Sequence, residues 1–217
     1  MTTFPRSPRV LKGALVTYEL PDNQPTVIVF QYNPGTLSRS LQARGAEGGG
    51  GRNRGPLRLK GAPVETVTVE IAIDAADQLE KEDAQTLEKG IHPQLAALEV
   101  LVYPPSERVI ANLGLLAAGF IEIVPPEAPF TLFVYGPGRV VPVKLSEVRV
   151  TEEAHDVHLN PIRAKVNLNM QVLSYCDFAP DHPGHALFLA HQIAKEALAK
   201  AGASGGLDAV GVDVHLP

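Results

Sequence analysis

Two pairs of histidines are the residues whose type and spacing come closest to a metal site. His155 and His158 lie three positions apart in a polar segment, and His182 and His185 repeat that spacing before an expected helix. Imidazoles this close can chelate an ion such as zinc. Neither pair has the four-residue helical spacing with an intervening glutamate that metalloproteases use. We therefore interpret all four as solvent-exposed loop histidines and expect no metal and no cofactor.

The other reactive side chains lack the surroundings that catalysis needs. Five carboxylates cluster between Asp74 and Asp83, but the pattern indicates no apolar pocket that would raise a carboxyl pKa, which favours a solvated face. The Gly-x-Ser-x-Gly motif of serine hydrolases does not occur. Cys176, the single cysteine, follows an apolar strand and is expected to be buried. The sequence therefore predicts a protein that is not an enzyme.

A glycine-rich segment at residues 45–56 has the composition of a flexible loop. Its four consecutive glycines would lose much backbone entropy on ordering. A phosphate-binding loop would end in Gly-Lys-Ser/Thr and open a helix, and this segment does neither. Arg52 and Arg54 belong to a basic patch around it, which is either a contact with an acidic partner or a solvated loop.

Composition disfavours several classes of protein. The chain has 217 residues, a net charge of −5 and one cysteine, which disfavours a general nucleic-acid binder and excludes an internal disulfide framework. The N-terminal residues lack the apolar region of a signal peptide. Its apolar runs are shorter than the roughly 18 residues that a membrane-spanning helix needs. We therefore expect neither nucleic-acid binding nor membrane insertion.

The element around which the chain is organised is a long hairpin at residues 130–175. Its last strand, residues 162–173, alternates between apolar and polar side chains, which predicts one dry and one wet face. A change of parity near Ser146 and Glu147 predicts a β-bulge. The wet face of the last strand carries small amides and cations: Arg163, Lys165, Asn167, Asn169 and Gln171.

Further strands are predicted before the hairpin. Residues 10–20 and 64–74 alternate as half-buried strands do, and residues 36–44 are expected to be extended. Residues 26–32 form a near-continuous apolar run, which predicts a strand buried on both faces.

Two helices are predicted, and one segment is left open. Pro93 fits the first turn of a short helix that ends before Pro104. Residues 185–201 predict a longer helix with Gly202 as its stop. Residues 110–124 are compatible with a helix followed by a strand. The apolar stripe of the longer helix is expected to comprise Leu187, Ala190, Ala194, Ala197, Leu198 and Ala201.

Several blocks of the chain resemble the tube-protein family of contractile injection systems, the phage-tail-like machines of bacteria. The resemblance covers most of residues 10–175 and is most specific in FQYNPGTLSRS, VETVTVEIAIDAAD and LNPIRAKV. It implies a mainly β, α+β tail-tube fold, with antiparallel β-sheets rolled into a barrel or sandwich with a packed helix. Six copies would form a ring whose hairpins build a continuous barrel.

The resemblance also implies a division of the chain. Residues 1–177 would form the tail-tube-like β domain, and residues 178–217 a C-terminal helix and tail. Many relatives carry a LysM domain at this point, and the residues after Tyr175 are too few for one. We expect the C-terminal helix to take over a docking role, with Leu187, Ala194 and Leu198 as partner contacts alongside Arg52 and Arg54.

The function implied by the resemblance is structural. The chain would be a hexameric initiator or adaptor at the baseplate, with the inner-tube protein above, the spike hub below and wedge or sheath-initiator proteins around it. It would assemble in the bacterial cytoplasm as part of a phage-tail-like particle, with release from the cell left open. The residues expected to line the lumen are Arg163, Lys165, Asn167, Asn169 and Gln171.

Three alternatives remain at this level. The first is a stacked tube subunit of the same machine. The second is a small-ligand-binding β-barrel, which the low aromatic content of 6% disfavours. The third is a metal-dependent enzyme that uses the histidine pairs.

Overall fold

The computed structural model describes residues 10–18, 25–45, 59–119 and 128–203. A single turn of 3₁₀ helix, Val100–Val102, follows the third of five helices. The helices are α1 (Ala76–Glu80), α2 (Ala84–Lys89), α3 (His92–Glu99), α4 (Ser106–Ala117) and α5 (Pro183–Gly202). The strands are β1 (Ala14–Tyr18), β2 (Pro25–Val29), β3 (Leu37–Gln42), β4 (Val64–Asp74), β5 (Phe130–Val134), β6 (Val140–His155) and β7 (Pro161–Val172).

All seven strands belong to one antiparallel sheet, in the order β2-β1-β5-β6-β7-β4-β3. This confirms the expected α+β class. The sheet does not close into a barrel within one copy of the chain, because β2 and β3 are edge strands that do not pair with each other. The predicted closed barrel is therefore not a property of the single protomer.

Three long strands form the centre of this sheet. β7 lies between β4 and β6, and its apolar side chains alternate with its polar ones along the whole strand. Ala164, Val166, Leu168 and Met170 are completely buried. Because successive side chains of a strand point to opposite faces, the polar residues between them lie on the other face of the sheet. The alternation predicted for this strand is confirmed.

The predicted bulge lies in β6. Leu145 pairs with Met170 and Glu147 pairs with Asn169, so Ser146 is the extra residue. Its hydroxyl donates a hydrogen bond to the carbonyl oxygen of Asn169 at 2.9 Å. Because of this extra residue, the apolar side chains on both sides of the bulge point to the buried face of the sheet. The bulge also bends the strand.

The sheet curls, and a short segment joins its two edges. Residues 30–36 connect β2, at one edge, to β3, at the other. Within this segment the side chain of Asn33 accepts from the N–H of Gly13 at 2.9 Å and donates to the carbonyl oxygen of Leu11 at 2.7 Å. The hydroxyl of Tyr135 donates to the carbonyl oxygen of Pro34 at 3.4 Å. These contacts attach the connecting segment to the residues just before β1 and just after β5.

Helices cover the dry face of the sheet. From α3 and the 3₁₀ turn, Leu95, Leu98 and Leu101 are buried. From α5, Phe188 joins the same core cluster. Burying apolar surface contributes about 25 cal/mol per Å², so this contact stabilises the sheet.

Two sequence predictions need correction or completion. The apolar run at residues 26–32 is not buried on both faces, because β2 is an edge strand in which Val27 and Val29 are exposed. The undecided segment, residues 110–124, begins within α4, which ends at Ala117. Residues 120–127 lie outside the described residues. Residues 46–58, which include Arg52 and Arg54, also lie outside them.

Candidate interaction site: the polar face of the hairpin

The five polar residues of β7 lie on the sheet face opposite to the core. Arg163 and Lys165 are exposed, and Asn167, Asn169 and Gln171 are half-buried. None of the five packs in the core of the protomer. Their assignment to a lumen stays a prediction.

Each amide of β7 has a polar neighbour on both sides. Asn169 is paired in register with Thr68 of β4 and Glu147 of β6. Asn167 lies in the same way between Glu70 and Arg149. Directly opposite residues of an antiparallel sheet have Cβ atoms about 5 Å apart, so these side chains form rows across three strands. We call the β4, β6 and β7 side chains of this surface the polar face.

A further row of the same kind lies nearer to the end of β7. Gln171 is paired with Thr66 on β4 and with Lys144 on β6. The backbone carbonyl oxygen of Asn169 accepts a hydrogen bond from the hydroxyl of Ser146. The side-chain oxygen of Asn169 lies 3.5 Å from the hydroxyl oxygen of Thr68. Amides and hydroxyls, which hydrogen-bond well to water, therefore make up the middle of the polar face.

Several cations of the polar face are paired with carboxylates. Arg163 Nε donates to Asp74 Oδ2 at 2.8 Å, and Lys165 Nζ donates to Glu153 Oε1 at 2.6 Å. A hydrogen bond from the N–H of Ala76, supported by Arg163, holds the pKa of Asp74 below its ordinary value. A hydrogen bond from Lys165 to Glu153 raises the pKa of that lysine.

A third pair lies in β6 itself. Arg149 and Glu147 are joined at 2.8 Å, with both side chains largely exposed. Exposed pairs of this kind add little stability, typically below about 1 kcal/mol. These pairs neutralise charge on the polar face. The polar face therefore does not present the run of unpaired cations that binding to the phosphate backbone of a nucleic acid requires.

A shallow depression of about 150 Å³ lies on the polar face. Ligand pockets are typically about 300 to 1,000 Å³ and mostly apolar. This depression is smaller, and an ion pair, two amides and a hydroxyl line it. It does not fit the small-ligand barrel considered from the sequence. The lining residues are Thr68, Glu147, Arg149, Asn167 and Asn169.

The turn between β6 and β7 is organised by Asp156. Its carboxylate accepts hydrogen bonds from the N–H of His158 at 2.7 Å and from the N–H and side-chain amide of Asn160 at 2.8 and 2.9 Å. These bonds, led by the side-chain amide of Asn160, lower the pKa of Asp156. Leu159 has a φ of 65°, a backbone angle that residues other than glycine rarely adopt. The hydrogen bonds to Asp156 therefore define the conformation of this turn.

The histidine pairs do not form a metal site. His155 contacts Glu152 at 3.0 Å, whereas His158 lies in the Asp156 turn. His182 caps α5, with Nδ1 accepting from the N–H of Gly184 at 3.0 Å. In the part of the chain that the structure describes, no cluster of three or more histidine, cysteine, aspartate or glutamate side chains is arranged to hold a metal ion.

The remaining reactive residues have structural surroundings. Asp83 caps α2, accepting from the N–H and hydroxyl of Thr86 at 3.0 and 2.7 Å, and Asp77, Glu80 and Glu82 are exposed as expected. The prediction that Cys176 is buried is wrong. β7 ends at Val172, so Cys176 lies in the following turn instead of continuing the strand.

The docked face of α5 differs from the predicted apolar stripe. Gly184 and Phe188 are its buried residues, and His191 and Lys195 are half-buried on the same side. Ala194 and Leu198 are exposed, with Leu198 71% accessible, and Leu187 is half-buried. The helix therefore docks through aromatic and polar residues and leaves much of its aliphatic stripe free. Whether that stripe contacts a partner stays a prediction.

A buried carboxylate that the sequence analysis missed ties α5 to the sheet. Glu65 of β4 is joined to Arg39 of β3 through one oxygen and to Lys195 of α5, at 3.0 Å, through the other. Burial raises the pKa of Glu65, but hydrogen bonds and charge from Lys195 and Arg39 outweigh it and lower the pKa. Glu65 shares the parity of Val67 and Val69, and that was the available signal.

No protein-family model matches the chain, and no curated protein sequence matches it. Among solved structures, it is similar to a chain from the tail of an empty gene transfer agent particle, refined with helical and C6 symmetry. The identity is 15%, the match covers 74% of this chain and 90% of that chain, and the TM-score is 0.29.

A chain from the virion of a native gene transfer agent particle gives a similar result, with 14% identity, the same coverage and a TM-score of 0.29. Among the described helices, none combines the length and apolarity needed to cross a membrane.

Proposed function

We propose that the chain is a structural component of a phage-tail-like contractile particle, in which six copies form a ring that initiates the inner tube at the baseplate. The observation that carries the proposal is the polar face. Three long neighbouring strands present amides, hydroxyls and paired charges on the side opposite to the core. The resemblance of the sequence blocks to tube proteins supports the same function.

The free edges of the sheet supply a means of assembly. β2 and β3 each carry backbone N–H and C=O groups along a side that no described strand pairs. Val27 and Val29 on β2 and Leu41 on β3 are exposed. Open, apolar edges are usually paired or protected in native proteins. In the proposed ring, β2 of one copy and β3 of the next approach each other, and closed symmetry leaves no free edge.

In the ring the polar face forms the wall of the channel. Arg163, Lys165, Asn167, Asn169 and Gln171 would line the lumen, with the partner strands completing the wall on either side. A water-filled channel needs an inner surface that stays solvated, and amides and hydroxyls meet that need. The ion pairs of Arg163 and Lys165 balance charge along it.

The C-terminal part would serve the baseplate. Residues 1–177 build the ring in this proposal, and residues 178–217 extend from it. α5 exposes Leu189 and Ile193, four residues apart on the side away from Phe188, and Leu198 is exposed near its C-terminal end. An apolar stripe that the protomer leaves uncovered suits a contact with a neighbouring baseplate protein. A subunit that only stacked in a tube would gain little from such a helix, which favours the initiator.

Partners and location follow from this role. The ring would receive the inner-tube protein on one side and the spike hub on the other, with wedge or sheath-initiator proteins around it. It would assemble in the bacterial cytoplasm within a phage-tail-like particle.

The first test is the mass of the purified full-length protein by native mass spectrometry, with images of the same sample. Rings of six copies with a central channel are expected. A monomer at every concentration, together with the absence of the protein from purified particles, would contradict the proposal.

The second test separates the initiator from the tube subunit. The protein is tagged at its C-terminus and labelled in intact particles. Label at one position near the baseplate is expected for an initiator, whereas label along the whole tube would establish the stacked subunit instead.

A further inference from the structure

The turn between β6 and β7 presents the two most exposed large apolar side chains in the described part of the chain. Val157 is 93% accessible and Leu159 is 80% accessible. The two residues lie on either side of His158, and we call residues 156–160 the hairpin tip. Single exposed apolar side chains are common on protein surfaces, so exposure alone identifies no site. The conformation and the charge of the hairpin tip indicate what covers these two side chains.

Hydrogen bonds define the backbone of the hairpin tip and attach it to the helices. The carboxylate of Asp156 accepts three hydrogen bonds within the turn. The side-chain amide of Asn160 also donates to the carbonyl oxygen of Glu88 in α2 at 3.2 Å. The N–H of Ile91, just before α3, donates to the carbonyl oxygen of Pro161 at 2.9 Å. A surface whose backbone conformation is already defined loses less conformational entropy on binding, so these bonds favour docking at the hairpin tip.

The side chain of Leu159 does not help to form this turn. Its backbone has a φ of 65°, which glycine and asparagine adopt at lower cost than leucine. The side chain is also absent from the core cluster of the protomer and lies in solvent. Because it stabilises neither the turn nor the core, a contact with another molecule is what this side chain can provide.

The surroundings of the hairpin tip are acidic. The last four residues of β6 and the hairpin tip together contain three carboxylates, Glu152, Glu153 and Asp156, and no lysine or arginine. Lys165 pairs with Glu153 at 2.6 Å, and His155 contacts Glu152 at 3.0 Å. The hydrogen bonds to Asp156 come from neutral groups of the turn. The two exposed apolar side chains therefore lie in a negative electrostatic field.

The sign of this charge selects the kind of partner. An anionic lipid surface and the phosphate backbone of a nucleic acid would both be repelled. An apolar recess with lysine or arginine at its rim fits, because apolar anchors in a recess provide affinity and complementary charge at the rim favours association. In a symmetric ring the tips of all six copies carry the same charge and lie at the same rim, so copies of one ring do not offer that recess to each other.

We propose that Val157 and Leu159 insert into an apolar recess, rimmed by lysine or arginine, on a different protein of the particle. The inference rests on the proposed function. Where the polar face lines the channel, β6 and β7 run along its wall, and the hairpin tip lies at one rim of the ring. The occupant is then the protein that stacks on that rim.

The first experiment identifies the occupant in intact particles. Val157 is replaced by the photo-crosslinking residue p-benzoylphenylalanine in the full-length chain, and cross-linked peptides are identified by mass spectrometry after irradiation. Peptides from one other protein of the particle are expected, with apolar residues beside lysine or arginine. Cross-links to another copy of this chain, to an acidic peptide or to no other protein would overturn the proposal.

Variants at the hairpin tip separate docking from ring formation. Val157→Ser removes one apolar side chain, and Leu159→Asn removes the other but keeps a residue that tolerates a positive φ. The double variant is expected to melt at the same temperature as the wild type and to form rings of the same mass. It should enter particles about tenfold less often, because apolar anchors dominate the affinity of an interface. Val10→Ser, also at an exposed position, is the matched control and should enter particles as the wild type does. Normal entry of the double variant into particles would refute the proposal.

The mass of the rings keeps this proposal apart from the proposed function. Absence of rings from the wild type counts against the proposed function, and the cross-links in particles still decide what contacts the hairpin tip. Loss of rings in the double variant alone would count against docking, because the hairpin tip would then belong to a contact between copies.

The charge of the partner is tested at Glu152. Glu152→Lys is expected to lower entry into particles by about tenfold, because it places a cation against a cationic rim. Glu107→Lys, at an exposed position of α4, makes the same change of charge and should have no effect. Equal entry of the two variants would contradict a cationic rim. Binding of the wild type to vesicles of phosphatidylcholine and phosphatidylglycerol, lost in the Val157→Ser/Leu159→Asn variant, would replace the protein partner with a membrane surface and overturn the proposal.

Discussion

The side-chain amide of Gln31 exchanges two hydrogen bonds with the backbone of Asp74, although 43 residues separate them. Nε2 donates to the carbonyl oxygen of Asp74 at 2.7 Å, and Oε1 accepts from its N–H at 2.9 Å. Gln31 follows edge strand β2, and Asp74 ends β4, next to the other edge. One side chain therefore replaces the ladder bonds that a neighbouring strand would make at this point of the curled sheet.

Replacing Gln31 with Ala should destabilise the fold. Both bonds are lost, and the N–H and C=O of Asp74 are left without these partners. Each intramolecular bond contributes about 0.5 to 1.5 kcal/mol, so we expect the free energy of unfolding to fall by about 1 to 3 kcal/mol. Urea unfolding measures this. Gln94→Ala, at an exposed position of α3, is the control and should change stability by less than about 0.5 kcal/mol. Equal effects of the two variants would contradict the role given to Gln31.

Replacing Glu65 with Gln should loosen α5. Arg39 and Lys195 would face a neutral side chain in a site where the carboxylate is only 7% exposed. Breaking a buried pair costs about 3 to 5 kcal/mol, and the partial exposure of the two cations reduces this to about 2 to 3 kcal/mol. Thermal and urea unfolding provide the measurement. Glu147→Gln, which removes an exposed pair with Arg149, should cost less than about 1 kcal/mol.

The same carboxylate gives a pH dependence with a defined sign. The folded pKa of Glu65 lies below its ordinary value of 4.5. Its contribution to stability is therefore complete above pH 4.5 and is lost as the pH falls through the lowered folded value. The stability difference between wild type and Glu65→Gln should be constant from pH 7 to 5 and shrink below 4.5. A difference that grew on acidification would show that the carboxylate is not held ionised.

Gly90 should not tolerate a side chain. Its φ is 58°, and a Cβ would collide with the carbonyl oxygen of Pro161, which accepts the N–H of Ile91. Gly90→Ala should therefore prevent native folding or cost more than about 3 kcal/mol. Gly138→Ala is the matched control, because nothing lies within 4 Å of a Cβ there. Circular dichroism and thermal unfolding compare the two, and similar melting temperatures would contradict this arrangement of the hairpin turn on α2.

The sequence predicted the elements whose pattern is local. The alternation of β7 and the parity change at Ser146 depend on neighbouring residues, because a strand has a fixed period of two. Pro93 and the leucines of α3 are likewise local signals. Contacts between residues far apart in the sequence could not be predicted from local patterns. An apolar run such as residues 26–32 fits a buried strand and an exposed edge strand equally, and the order of strands in the sheet decides between them.

The candidate site was predictable in part for the same reason. The polar face follows from the alternation of β7, but its rows and ion pairs depend on registers with β4 and β6 that no local pattern contains. The docked side of α5 was mispredicted because it carries aromatic and polar side chains: Phe188 packs into the core, and Lys195 pairs with Glu65. The cap by His182 was not predicted, because histidine is not among the residues that usually cap helices.

The edge strands give a prediction about assembly. Leu41→Lys places a charge on β3 at an exposed position, and Val29→Lys does so on β2. Because a charge on an exposed edge opposes strand pairing between copies, each should reduce ring formation at least tenfold while the monomer folds normally. Sedimentation velocity and thermal unfolding check both points. Ser40→Lys is the comparison variant, because Ser40 lies on the polar-face side of β3. It distinguishes disrupted pairing of the edge strands from an effect of added charge in the channel.

The most direct test of the central claim is a cryo-electron microscopy structure of the assembled ring. We predict six-fold symmetry, with Asn167, Asn169 and Gln171 of every copy facing the central axis and α5 on the outside. A ring in which these three side chains face outwards, or are covered by a partner that closes the channel, would contradict the account.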